Sequence, residues 1–216
     1  MLLVTACVGG GRESVPPPSS ESLVRTGAHP VEARTGDLDG DGLPEIVISS
    51  VSETTSQFGL PTPYLEVFAQ RDGEWRRVFD ASADSPAGEG APEVMLQPAT
   101  EGFANPQTVE VLELVDFAGD GSKEIVTAIS NVGATAGPLE LWVVSMREEL
   151  RTEYYLRTER GGNVSVQPDR VTIEFGVYRR KDPGCCPSIL EMRMIGHDPA
   201  SDGIVTLERE RRRVQA

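Results

Sequence analysis

Several features that would announce a function are missing from this chain. No apolar run in its 216 residues approaches the length of a membrane-spanning helix. Only two histidines occur, His29 and His197, and neither stands in a recognisable motif. Gly-x-Ser-x-Gly, His-Glu-x-x-His and phosphate-cradling glycine loops are all absent. Positive charge is scarce: 20 Lys and Arg face 34 Asp and Glu, a net charge of −14. Such a surface repels nucleic acid and anionic lipid, which removes both from the expected partners. Cysteine is nearly absent too, with Cys7 standing apart from the adjacent pair Cys185 and Cys186. Without a Cys-x-x-Cys pair a dithiol enzyme is disfavoured. Helical signals are few. Ser145 to Leu156 could carry a short helix, but Tyr154-Tyr155 fits a strand equally well.

What is present is a soluble, globular composition, 38% hydrophobic and 25% charged, long enough to bury a core without staples. Strand signals dominate. Val171 to Tyr178 alternates apolar and other residues with a period of two, as a half-buried strand does. Asp72-Gly73 separates two strand-like runs, Tyr64 to Ala69 and Glu74 to Phe79, and predicts a hairpin whose turn residues both take positive φ. Further strands are expected at Pro30 to Ala33, Thr108 to Leu114, Ile189 to Ile195 and Ile204 to Glu208. Residues 81–107 are dense in Pro, Gly and Ala and read as a loop or insertion. The tail from Glu208 to Arg213 reads as a solvated strand end.

One segment carries chemistry. Asp37, Asp39 and Asp41 alternate with other residues, Gly40 and Gly42 permit tight winding, and Glu45 follows at the ninth place. Alternate acids in a tight loop turn inward and can supply oxygen ligands to a hard cation such as calcium. The backbone carbonyl of Leu43 would add another. An EF-hand would need an acid at the twelfth position, where Ile48 stands. The same pattern recurs at Asp116, Asp120, Ser122 and Glu124, with Ala118 in place of one carboxylate. A weak site, a water-assisted site and a plain turn are the readings open for that second copy. An Asp/Gly-rich turn is also the alternative for the first, although four clustered carboxylates repel one another without a cation. The copies continue in step, with Leu65-Glu66-Val67-Phe68 matched to Leu139-Glu140-Leu141-Trp142, which argues for duplication.

Asp-x-Asp-Gly-Asp-Gly-x-x-Glu-Ile-Val resembles the calcium loop of FG-GAP and VCBS-type repeats, the units of integrin α-chain propellers and many bacterial surface proteins. The resemblance implies calcium held by Asp37, Asp39, Asp41, the Leu43 carbonyl and Glu45, and more weakly by Asp116, Asp120, Ser122 and Glu124. It also implies blade-like antiparallel β-repeats. The chain is too short for a seven-bladed ring, so a partial propeller or a small sheet assembly is expected, with self-association as one way to complete it.

The beginning of the chain carries a second resemblance. Val4-Thr5-Ala6-Cys7 follows a short apolar stretch and precedes a run rich in Gly, Pro and Ser. This is similar to the lipobox of bacterial lipoproteins, in which the cysteine receives lipid. A positive n-region and a full apolar core are lacking, so the expectation is a start that lies upstream or was trimmed. The expected organisation is therefore a residual signal over 1–7, a flexible tether over 8–28 and a β-repeat domain over 29–212. Within that domain one repeat spans about 29–80 and a second about 108–212. Cys185 and Cys186 lie in a Pro-Gly turn, which reads as a stiffened hairpin turn; a disulfide between these neighbours could form and would be strained. The function expected is a non-enzymatic, calcium-stabilised, extracytoplasmic module that binds a protein or glycan or serves the envelope structurally, with membrane contact only through Cys7. The alternative is a glycan-directed hydrolase with unplaced acids, in which Trp75 or Trp142 would stack on sugar.

Overall fold

The computed structural model describes residues 15–55, 61–80, 107–131, 137–146, 151–183 and 186–214. These residues form an all-β molecule of three four-stranded antiparallel sheets. The first sheet contains β1 (Ala28–Gly36), β2 (Glu45–Thr55), β3 (Pro61–Arg71) and β4 (Glu74–Asp80). The second contains β5 (Gln107–Val115), β6 (Glu124–Asn131), β7 (Leu139–Ser145) and β8 (Arg151–Arg157). The third contains β9 (Asn163–Gln167), β10 (Arg170–Val177), β11 (Ile189–Asp198) and β12 (Gly203–Arg213). In every sheet the strands lie side by side in chain order, giving three blade-like meanders.

Local chemistry explains the strands. Along β10 the residues Val171, Ile173 and Phe175 are buried and their neighbours are not, so one face meets a core. The Asp72-Gly73 turn takes φ of 55° and 77° and joins Arg71 directly to its cross-strand partner Glu74. This is the predicted two-residue hairpin.

The second sheet is the middle layer. Its one face, with Val109, Val111, Ile125, Ile129, Trp142 and Val144, packs on Leu38, Val47, Leu65 and Val67 of the first sheet. Its other face, with Val126, Leu141, Val143 and Leu156, packs on Val171, Ile173, Phe175 and Ile195 of the third. Burial on both faces explains why β6 and β7 read as nearly continuous apolar runs. The outer face of the first sheet presents Ile46, Ile48 and Phe68, and Leu23, Val24 and Trp75 pack against it.

Four expectations need correction. The stretch 108–212, read as one repeat, contains two sheets. β9 went unnoticed because Asn163-Val164-Ser165-Val166-Gln167 offers only two apolar side chains. The end of the expected tether is packed rather than free. Helix α1 (Ser20–Leu23) leads to Arg25, whose guanidinium bonds Asp80 at 2.5 Å and lies 3.8 Å from the Tyr64 ring centre. Leu23 and Val24 give that segment an apolar surface to bury. Of the helical alternative for 145–156, residues 147–150 lie outside the described residues, while Ser145 closes β7 and 151–156 belong to β8, with Trp142 paired to Tyr155 across the two strands. Finally, the repeat match is displaced by two residues beyond the loops. Ile46 pairs with Phe68 whereas its counterpart Ile125 pairs with Val144, so Leu65 corresponds to Leu141. A slip of two preserves the face of every side chain, which is why the pattern concealed it. Of the expected insertion 81–107, only Gln107 lies within the described residues, where it opens β5.

Candidate metal centre

The first acidic loop connects β1 to β2 and is held by its own carboxylates. Asp37 accepts the amides of Gly40 at 2.7 Å and Gly42 at 2.9 Å, one on each oxygen. Asp39 accepts the Asp41 amide at 3.1 Å, and Asp41 accepts that of Leu43 at 2.8 Å. Glu45, the first residue of β2, reaches back to accept the Leu38 amide at 2.7 Å. Gly40 and Gly42 adopt φ of 78° and 83°, the left-handed region where a side chain would be strained.

This winding brings one oxygen each from Asp37, Asp39 and Glu45 within 4.8 Å of one another. Calcium–oxygen bonds of ~2.3–2.6 Å allow ligands up to about 5 Å apart, so the spacing suits a single hard cation. A carboxylate oxygen that accepts one N–H keeps a second lone pair, so the internal hydrogen bonds do not exhaust the donor set. Asp41 is not part of this close group. Leu43, expected to offer its carbonyl, is half-buried and donates its amide to Asp41.

Glu45 is the distinctive member, only 1% exposed. Burial pushes its carboxyl up to about 7, the Leu38 amide opposes this, and the charges of Asp39, Asp41 and Asp37 add to the rise. A carboxylate there is held at an electrostatic disadvantage that a cation would remove. One side chain that the sequence did not foretell already relieves part of the charge. Arg71, at the end of β3, places Nη2 3.1 Å from Asp39 and Nη1 3.9 Å from Asp41. It lies 32 residues from Asp39 in the chain, and only the strand register reveals the contact.

The second loop, between β5 and β6, repeats the winding. Asp116 accepts the amides of Gly119, Asp120 and Gly121 at 2.6, 3.1 and 2.9 Å. Asp120 accepts the Ser122 amide at 3.0 Å, and Glu124 accepts that of Phe117 at 3.2 Å. Among the described residues, however, the close acidic group forms in the first loop alone, because Ala118 stands where Asp39 stands in the first.

The two loops touch. The Lys123 amide donates to the Asp37 carbonyl at 2.8 Å, and a Cβ on Gly40 would lie 2.7 Å from Ser122 Oγ. The candidate centre thus sits on the seam between the first and second sheets. No protein-family model and no curated protein sequence matches the chain.

The remaining sequence candidates fall elsewhere. Cys7 and Cys185 lie outside the described residues, and Cys186 is exposed. Trp142 is a core residue, its ring centre 4.4 Å from that of Tyr155, and Trp75 packs on the outer face of the first sheet. His197 faces Asp202 at 3.2 Å beside the β11–β12 turn. A small cleft between the second and third sheets gathers Glu124, Glu153 and Asp202. Each of these acids has a partner: the Phe117 amide for Glu124, Ser145 and Arg151 for Glu153, His197 for Asp202.

Proposed function

We propose that this chain is a non-enzymatic, calcium-stabilised module that works outside the cytoplasm, anchored through lipid on Cys7. It presents its stacked sheets to a protein or glycan partner or serves the envelope structurally. The reading belongs with the FG-GAP and VCBS-type repeats that the loop resembles. The observation that carries it is the close grouping of Asp37, Asp39 and buried Glu45 on the seam between two sheets. A cation bound there would neutralise carboxylates that repel one another and would tie the first sheet to the second through the Asp37–Lys123 contact. The order of an apolar stretch, Cys7 and a Gly/Pro/Ser-rich run supports the anchor.

Thermal unfolding of chelator-stripped protein against calcium and magnesium tests the metal. A ligand that binds only the folded state adds about 2.7 kcal/mol of stability at a hundredfold excess over its dissociation constant. The expected result is a calcium-selective rise in Tm that Asp39→Asn abolishes. Equal Tm with and without calcium would leave the loop a self-sufficient acidic turn and end this reading.

A further inference from the structure

The third sheet ends in an edge strand unlike the others. β12 has 11 residues, against 5 to 9 for the other sheet-edge strands, and every residue from Thr206 to Arg213 is exposed. It pairs with β11 on one side only, so among the described residues no strand takes up its outward row of peptide groups. Four of its last five residues are arginine in a chain whose net charge is −14.

The arginines are sorted by face. Arg209 and Arg211 pair across the strands with Arg193 and Glu191. All three guanidiniums converge on the fully buried Glu191 carboxylate: Arg193 at 2.7 Å, Arg209 at 2.8 Å and Arg211 at 2.5 Å. Three positive charges answer one negative, which leaves two in excess. Arg209 and Arg211 remain 48% and 51% exposed, and each fork has more N–H donors than Glu191 occupies. Arg213 continues the same face one step along, as side chains two apart do. The opposite face carries Glu208 and Glu210, and Arg212 there bonds Glu174 at 2.7 Å.

Charges on an edge strand repel apolar strands and so guard against aggregation. A row of one sign at every second residue does more, because it selects for the opposite sign at the same spacing. Carboxylates at alternate positions of an extended chain lie ~7 Å apart, the same step as Arg209, Arg211 and Arg213. Cross-strand pairs of opposite charge are favourable, and backbone pairing to an open edge supplies affinity.

We propose that β12 captures an extended segment of a partner protein by strand addition. The segment carries Asp or Glu at every second position, facing Arg209, Arg211 and Arg213, with no acid between them because Glu208 and Glu210 line the other face. This site is independent of the metal loop, and binding should be the same with calcium or chelator.

The test is fluorescence anisotropy of the whole protein with a labelled peptide as long as the exposed run, alternating Glu and Thr. Three comparisons accompany it: a peptide of equal composition with its Glu residues clustered, the alternating peptide N-methylated on its pairing edge, and an Arg213→Glu protein. Arg213 lies outside the Glu191 cluster, so that variant keeps the wild-type Tm. The expected result is saturable binding of the alternating peptide, loss with N-methylation, and weakening of about fivefold in Arg213→Glu, the scale of exposed ion pairs. The proposal is overturned if the alternating peptide does not bind. It is equally overturned if the clustered peptide, the N-methylated peptide or a sulfated glycan binds as well, since that is adhesion by charge without strand addition.

Discussion

Glu45 begins a strand with its carboxyl out of water, held by the Leu38 amide and faced by Asp39, Asp41 and Asp37. Its ordinary value of 4.5 rises to about 7 in the folded chain. Between those values the folded state keeps a proton that the unfolded state releases. Stability from Glu45 is therefore fully present below 4.5 and is lost as pH rises through about 7. Denaturant titrations in chelator across that window should show a fall that is smaller in Glu45→Gln. Identical profiles would show that Glu45 does not hold the proton. On the proposed function the cation requires the carboxylate, so calcium affinity should climb over the same window. Gly40 and Gly42 allow a second comparison at this scale. Both take left-handed φ, but only at Gly40 would an added Cβ meet Ser122 Oγ, at 2.7 Å. Gly42→Ala should cost about 1 kcal/mol and Gly40→Ala about 2. Equal urea midpoints for the two would show that the loop contact adds nothing.

At the scale of the element, β11 and β12 are joined by a buried charge as well as by their ladder. Burial alone would raise the Glu191 carboxyl, but hydrogen bonds from Arg209, Arg193 and Arg211 outweigh it and hold the group at about 2. The folded value lies below the unfolded 4.5, so the stability it contributes is present above 4.5 and is lost as pH falls through about 2. Acid titration of Glu191→Gln should lack that part of the wild-type fall, and an unchanged acid limb would refute the assignment. Elements like these differ in how far the sequence reveals them. The Asp72-Gly73 hairpin, β10 and both acidic loops were legible, because turn chemistry and period-two burial are local properties. The approach of Arg71 to Asp39 and the three arginines on Glu191 were not, since each depends on strand register. β9 was hidden by its polarity, and the two-residue slip between repeats by the period of the strand itself. The grouping of Asp37, Asp39 and Glu45 was legible as a motif. That Asp41 stands apart from the group, and that the loop lies on a seam, required the fold.

At the scale of the molecule, the described residues form three sheets that pack in series, with the middle one covered on both faces by its neighbours. The first sheet closes its outer face with Leu23 and Val24, while Arg25 bonds Asp80 and buried Glu66. Terminal units of stacked arrays need such closure. Replacing Leu23 and Val24 together with alanine should lower stability by about 1–2 kcal/mol, less than in a full core because both are partly exposed. A wild-type urea midpoint in that variant would show that the segment merely rests on the sheet. The position of β6 has a consequence of another kind. It has a strand on either side and side chains buried on both faces, so its amide protons meet solvent only when the whole assembly comes apart. Deuterium uptake at Val126 to Ile129 therefore keeps time with global opening, while uptake at Gly40 and Gly42 keeps time with the loop. A cation that slowed the second clock and left the first unchanged would be a local clasp. One that slowed both would be part of what holds the fold.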